Sequence, residues 1–239
     1  MLEDDIRPFK IPTERETTMN RSTNDTQKRF SIQEDQPSNW FEPLYAGANK
    51  NGEGVPWANM KTHPSFANWL SRNPLNGVGK SALVVGCGMG DDAVQLESLG
   101  FQVTAFDVSA TAIGYCKERF PQSTIEFMQA DLLKKQTQWS RTFDFVLEIF
   151  TIQALPPKYE RQVIQAISDF VAPEGKLLVI AEVGTEQRAF DNGPPWLLTS
   201  EHTDLFVSSG LNFHVTETEN SSLEDDGNIF VTTFSRPKV

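Results

Sequence analysis

The first 38 positions are rich in Thr, Asn, Gln, Glu and Arg, with Phe9, Ile11, Phe30 and Ile32 as isolated apolar anchors. No period there supports a strand or a helix, so residues 1–38 are expected to form a polar arm. The arm is either a plain disordered tail or a flap whose few apolar anchors fold over a pocket. From Ser81 the pattern becomes regular. Ser81 to Val85 is a short apolar run with β-branched residues, followed at once by Gly86, Gly88 and Gly90. It predicts a buried strand that turns sharply into a loop. A helix follows, capped by Asp91 or Asp92, with Ala93, Leu96 and Leu99 at helical spacing until Gly100. Gln102 to Phe106 is the next strand and ends on Asp107. Ser109 caps a helix running to about Phe120, which Pro121 ends.

Further along, Thr124 to Met128 reads as a third strand leading into Gln129-Ala130-Asp131-Leu132. Phe143 to Phe150 is a fourth, a near-continuous apolar run interrupted toward its carboxyl end by Glu148. Val163, Ile164 and Ile167 mark a helix, Pro173-Glu174-Gly175 a turn, and Lys176 to Val183 a fifth strand. A long loop, Gly184 to Ser200, carries Arg188, Asp191-Asn192 and Gly193-Pro194-Pro195-Trp196. Ser200 caps a short helix to Ser209. Leu211 to Thr218 and Asn228 to Ser235 then alternate as a closing pair around Glu224-Asp225-Asp226-Gly227. Strands alternating with helices and ending in a hairpin predict an α/β fold. Its sheet has seven strands, mostly parallel with one reversed, and helices on both faces.

Between arm and sheet the pattern is aromatic rather than periodic: Trp40-Phe41-Glu42-Pro43-Leu44-Tyr45, a polar loop, then Val55-Pro56-Trp57. Such rings either form a lid over a pocket or pack the segment on the core. His63, before Pro64, reads as a loop residue, and Phe66, Trp69 and Leu70 share a helix face. The expected organisation is one domain over 39–239, with an aromatic lid and helical segment at 39–80 and the sheet core at 81–239.

Composition narrows the partners. No apolar run approaches the ~20 residues of a membrane span, and the acidic Met-Leu-Glu-Asp-Asp start lacks the features of a secretory signal. Cys87 and Cys116 are the only cysteines and offer neither a disulfide framework nor metal spacing. A soluble cytoplasmic protein, monomeric or weakly dimeric, is expected. A net charge of −11 repels phosphate backbones and argues against nucleic acid.

The chemistry of the glycine turn is more specific. Glycines let backbone amides lie against a ligand, and an acid closing the second strand accepts from both hydroxyls of a ribose. The spacing is Gly86-x-Gly88-x-Gly90 rather than Gly-x-Gly-x-x-Gly, with Asp91 and Asp92 where a phosphate would dock. Two carboxylates repel a pyrophosphate but suit a ligand carrying an ammonium group, which favours S-adenosylmethionine over NAD. Asp131 either accepts from an adenine amine or serves as a turn acid. Glu148, at the end of a buried strand, faces the cofactor's amino acid portion or the substrate, or fills a structural hydrogen-bonding role.

With these residues in place, the chain resembles class I S-adenosylmethionine-dependent methyltransferases over Ser81 to Val239. Within them it is most similar to the thiopurine methyltransferase family, which includes plant thiol and halide methyltransferases. The resemblance is carried by Val85-Gly86-Cys87-Gly88-Met89-Gly90-Asp91-Asp92-Ala93, Phe106-Asp107, Ala130-Asp131, Ala154-Leu155-Pro156-Pro157 and Gly193-Pro194-Pro195. Upstream it is carried by Trp40, Tyr45, Gly47 and Pro56-Trp57. It implies that Gly86, Cys87 and Gly88 line the methionine part, Asp107 holds the ribose, Val108 and Leu132 flank the adenine and Asp131 reaches its amine. Trp40 and Trp57 would close over the cofactor, with Ser109, Ala130 and Glu148 also counted among the cofactor residues.

The departures are a longer loop between Gly47 and Pro56, Ala58 after the Pro-Trp pair, and Arg161 one place later than the family's usual arginine. They bear on the acceptor. Tyr45, Glu148, Arg161, Arg188 and His202 are the acceptor-pocket candidates; the pattern shows no catalytic dyad and no metal set. Leu147-Glu148-Ile149-Phe150 replaces the Asn/Asp-Pro-Pro-aromatic motif of enzymes acting on base amines. Glu148 with Asp191-Asn192 echoes the metal acids of catechol-type enzymes but reads better as turn chemistry. The function expected is methyl transfer to a small acceptor, thiol-like sulfur or halide first and a phenolic or carboxylic oxygen second. A non-catalytic S-adenosylmethionine-binding protein is the alternative from another class, and a NAD-dependent oxidoreductase the weakest.

Overall fold

The computed structural model describes residues 31–184, 189–199, 201–220 and 228–238. Most of the arm, Arg188, the expected Ser200 cap and the acidic loop Glu224 to Gly227 lie outside the described residues. The strands are β1 Ser81–Val85, β2 Gln102–Asp107, β3 Glu126–Gln129, β4 Phe143–Ile149, β5 Val171–Val183, β6 Asn212–Asn220 and β7 Asn228–Ser235. They form one seven-stranded sheet in the order β3-β2-β1-β4-β5-β7-β6. β7 runs antiparallel to both its neighbours and the other pairs are parallel.

The helices are α1 Phe41–Ala46, α2 Pro64–Arg72, α3 Asp91–Ser98, α4 Ala110–Arg119, α5 Glu160–Phe170 and α6 His202–Ser208. The central strands are near-continuous apolar runs because both sheet faces are covered. Leu83, Val85, Val146, Leu177 and Val179 face one layer, where Val163, Ile164, Ile167 and Phe170 of α5 pack. Ala82, Val84, Leu147, Leu178 and Ile180 face the other, against Phe66 and Trp69 of α2, Ala93 and Leu96 of α3, and Ile113 and Cys116 of α4. At about 1.5–3 kcal/mol for each large side chain fully buried, these two layers hold the helices in place. A third, smaller cluster lies outside the sheet and joins Trp40, Leu44, Tyr45 and Val55 to Met89 and Ala112.

Two local expectations change. The aromatic segment is not irregular throughout, since Phe41–Ala46 is a turn and a half of helix. Pro173-Glu174-Gly175 is a bulge inside β5 rather than a turn before it: Val171 already pairs with Phe143, and the register slips between Phe143 and Phe145. Arg236 pins this bulge. Its amide donates to the Gly175 carbonyl at 3.0 Å, its own carbonyl accepts from Glu174 at 3.1 Å, and its Nε donates to the Val171 carbonyl at 2.7 Å. Among the described residues no helix is long and apolar enough to cross a membrane.

Candidate cofactor crevice and lid

β1 lies between β2 and β4, so the chain leaves the middle of the sheet in both directions. The crevice at the carboxyl ends of these strands is where such sheets take ligands. After Val85 the backbone turns left-handed at Gly86 (φ +61°) and Gly88 (φ +52°), conformations that suit glycine. Both positions are also crowded. A β-carbon on Gly86 would stand 2.4 Å from Thr151 Oγ1, and one on Gly88 would stand 3.1 Å from Tyr45 Oη.

Asp107 closes β2 and turns its carboxylate back onto the glycine turn. Oδ2 accepts from the Gly88 amide at 3.0 Å and Oδ1 from the Ser109 amide at 2.9 Å. The Val108 amide also bonds this carboxylate, which still has acceptor capacity left for a ligand. Burial raises its pKa to about 6, against the pull of those amides. Ser109 caps α4 as expected, its Oγ accepting from the Ala112 amide at 3.1 Å. The ends of β2 and β3 are tied together by the Ala130 amide on the Asp107 carbonyl (3.0 Å) and Gln129 Nε2 on the Val108 carbonyl (3.0 Å). Val108 is half-buried and Leu132 buried. Asp131 Oδ1 accepts from the Leu133 amide at 2.9 Å, forming an Asx turn.

Glu148 sits opposite Val85 in the parallel register and is fully buried. Its Oε1 accepts from the Thr151 and Ile152 amides at 2.6 and 3.0 Å, while Oε2 is buried with no hydrogen-bond partner among the described residues. Burial lifts its pKa to about 7 despite those amides. Beyond it, Gln153 pairs with Glu182 near the end of β5: Oε1 accepts from the Glu182 amide at 2.8 Å and Nε2 donates to Glu182 Oε2 at 2.9 Å. The Gln153 carbonyl accepts from the Trp196 amide at 2.7 Å.

The aromatic segment stands over the glycine turn. Trp57 Nε1 donates to Tyr45 Oη at 3.1 Å, and burial holds the Tyr45 phenol well above its usual pKa, so it stays neutral. Trp40 packs edge-to-face on Trp57 with centroids 5.9 Å apart. Trp40 is buried, whereas Trp57 keeps 39% of its surface exposed.

The two acids after the turn do not do what their positions suggest. Asp91 takes both Arg119 nitrogens at 2.8 Å, and Asp92 Oδ1 accepts from the His63 amide at 2.7 Å. Asp91 is thus paired and Asp92 is held by a distant backbone amide, so repulsion of phosphate by two free carboxylates is not what selects the ligand. Cys87 and Cys116 are free thiols. The hydrogen bond to Cys116 and burial push the Cys87 thiol well above its usual pKa.

Of the acceptor-pocket candidates, Tyr45 and Glu148 reach the crevice. Arg161 is exposed on the first turn of α5. His202 is buried on α6, with Nδ1 against the Thr199 carbonyl. Glu42, Tyr115, Arg119 and Thr151 were not foreseen, because each works through partners distant in sequence.

These residues suit an adenosine carrying an amino acid. Gly86 and Gly88 offer backbone without side chains, Asp107 offers lone pairs for hydroxyls, and the unpartnered Glu148 oxygen suits an ammonium hydrogen.

Comparison with known proteins agrees. A methyltransferase domain family model matches residues 82–175. Thiocyanate methyltransferase 1 of Brassica oleracea is 24% identical over 162 residues, covering 66% of this chain and 69% of that protein. Probable thiol methyltransferase 2 of Arabidopsis thaliana is 26% identical over 188 residues, covering 75% and 76%. Magnesium protoporphyrin IX methyltransferase from Synechocystis PCC 6803, solved with bound S-adenosylmethionine, shares the fold. Its TM-score is 0.56 at 16% identity, over 72% of this chain and 76% of that one. Strand order, crevice chemistry and sequence similarity thus converge on a class I S-adenosylmethionine-dependent methyltransferase that resembles the thiol methyltransferases.

Proposed function

We propose that this methyltransferase acts on a small thiol or a similar sulfur or halide nucleophile. The observation that carries the reading is the extent of similarity to a thiol methyltransferase. It spans 188 residues, well beyond the 82–175 stretch that holds the glycine turn and Asp107. In this reading Gly86, Cys87 and Gly88 line the methionine part, with the Glu148 carboxylate on its ammonium. Asp107 takes the ribose hydroxyls, helped by Ser109. Val108, Ala130 and Leu132 border the adenine, and Asp131 is the partner of its amine. Trp40, Tyr45 and Trp57 form the cover.

The bound cofactor supplies a methyl group already activated on a sulfonium. What remains for the chain is to align the acceptor and exclude water. A thiolate needs no base, which agrees with a crevice whose neutral Tyr45 is the nearest hydroxyl over Gly88. A second reading, transfer to a phenolic or carboxylic oxygen, is favoured by one observation: the buried Glu148 oxygen without a partner would suit a proton-bearing acceptor.

The test is methyl transfer from S-adenosylmethionine to thiols, iodide, thiocyanate, phenols and carboxylic acids, read by mass spectrometry. Turnover of thiols with kcat/KM well above the oxygen acceptors is the expected result. Methylated phenols or acids with silent thiols would replace it by the second reading. Tight cofactor binding with no acceptor turned over would leave a binding protein.

A further inference from the structure

The lid and the crevice are joined at one carboxylate. Glu42 lies in the first turn of α1 and reaches the start of α4. Its Oε2 accepts from Ser109 Oγ at 2.7 Å and from the Thr111 amide at 3.2 Å, and its Oε1 accepts from Thr111 Oγ1 at 2.6 Å. Burial pushes its pKa up, but these hydrogen bonds win and hold it below the usual carboxylate range. Ser109 in turn donates its amide to Asp107, and Asp107 accepts from Gly88. A run of hydrogen bonds therefore leads from lid to ribose acid to glycine turn. At the far end of α1, Tyr115 Oη lies 3.3 Å from the Tyr45 carbonyl and 3.1 Å from the Ala48 carbonyl. Leu44 and Tyr45 pack between these two ties with Met89 and Ala112.

We propose that Glu42 is a positioning residue of the methyl transfer. It docks α1 on the amino end of α4, sets Tyr45 and Trp57 above Gly88, and with the same carboxylate fixes the Ser109 hydroxyl behind Asp107. The physical basis is that one anion satisfies a hydroxyl pair and a helix-end amide together, at the end of the helix dipole that favours negative charge. α1 is six residues long, too short to be helical by itself, so its placement rests on its packing and on these polar ties. The inference rests on the cofactor occupying the crevice between Gly88 and Asp107.

The experiment compares wild type with Glu42→Gln, Glu42→Ala, Glu42→Asp and Thr111→Val. Circular dichroism checks folding, acrylamide quenching reports tryptophan exposure without ligand, and stopped-flow fluorescence gives the S-adenosylhomocysteine off-rate. Glu42→Ala is expected to raise quenching and to speed product release about tenfold. KM for S-adenosylmethionine should rise with it, and kcat should change less. Glu42→Gln and Thr111→Val should fall between, Glu42→Asp should restore part of the loss, and Thr111→Val added to Glu42→Ala should change little further. If Glu42→Ala does not fold, the same ordering among the other three carries the test. Folded variants with wild-type quenching and off-rate would overturn the proposal. A wild-type protein that fails to bind S-adenosylhomocysteine would instead overturn the cofactor site itself.

Discussion

Thr151 donates its hydroxyl to the Val85 carbonyl at 3.0 Å, and that hydroxyl fills the space a side chain on Gly86 would need. The end of β1 and the segment after β4 are therefore locked together at the floor of the crevice. Gly86→Ala is expected to destabilise the protein by about 2 kcal/mol or more. Left-handed backbone accounts for roughly 1–2 kcal/mol, and the displaced Thr151 hydrogen bond for about 1 kcal/mol. Urea denaturation measures this, and Thr151→Ala in the Gly86→Ala background should recover part of it. An alanine variant of wild-type stability would contradict the packing.

Asp107→Ala should weaken S-adenosylmethionine and S-adenosylhomocysteine about ten- to a hundredfold in calorimetric titration, the range for hydrogen bonds to a charged group. Because the carboxyl titrates near 6 without ligand and ribose hydroxyls prefer its ionised form, wild-type affinity should fall as pH drops from 7 to 5. The alanine variant should keep only the part of that slope that Glu148 contributes from its pKa of about 7.

Glu148→Gln should make the cofactor-free protein more stable above neutrality. A folded-state pKa of about 7 against the usual 4.5 means the folded protein holds a proton that the unfolded chain releases. Stability from this group is full below about pH 4.5 and declines as pH rises to 7. The amide lacks this dependence, so its advantage should grow from pH 5 to pH 8 toward roughly 2–3 kcal/mol. Melting temperatures across that range decide it. An advantage that is flat with pH would contradict an ionisable Glu148 as its source. In the proposed role on the ammonium, the same variant should bind S-adenosylmethionine more weakly at pH 8.

Arg119→Met should loosen the glycine turn. The guanidinium holds Asp91 through two 2.8 Å contacts and also donates to the Met89 carbonyl, with both side chains mostly shielded from water. Removing it leaves Asp91 uncompensated, at a cost of about 2–4 kcal/mol. Asp91→Asn combined with Arg119→Met should cost less than Arg119→Met alone. A double variant that costs the sum of the two single variants would mean that the pair acts independently.

The local grammar of the chain was legible where neighbours in sequence are partners in space. Ser81 to Asp107 announces strand, turn, helix and strand through apolar spacing and glycines, and Ser109 caps the helix that its position promises. Glu148 stood out as a charge in an apolar run. What the sequence concealed were long-range polar partners. Asp91 reads as a free carboxylate because Arg119 is a strand and two helices away, and nothing local marks Glu42, whose partners lie more than sixty residues on. His202, one of the acceptor-pocket candidates, has its imidazole buried with Nδ1 against the Thr199 carbonyl just before its own helix, a contact that the sequence pattern does not display. The Pro173-Glu174-Gly175 bulge was masked because its turn residues are also those of a kinked strand, and Arg236, which pins it, lies at the other end of the chain.

Gln153 lends its side chain to Glu182 as though it were one more residue of a neighbouring strand, while its own carbonyl holds Trp196. The stretch after β4 and the loop after β5 are thereby sewn into a single plate. A change in the backbone course of the 189–199 loop would break the Trp196 bond and leave the Gln153–Glu182 pair in place, whereas a displacement of Gln153 would loosen both seams at once.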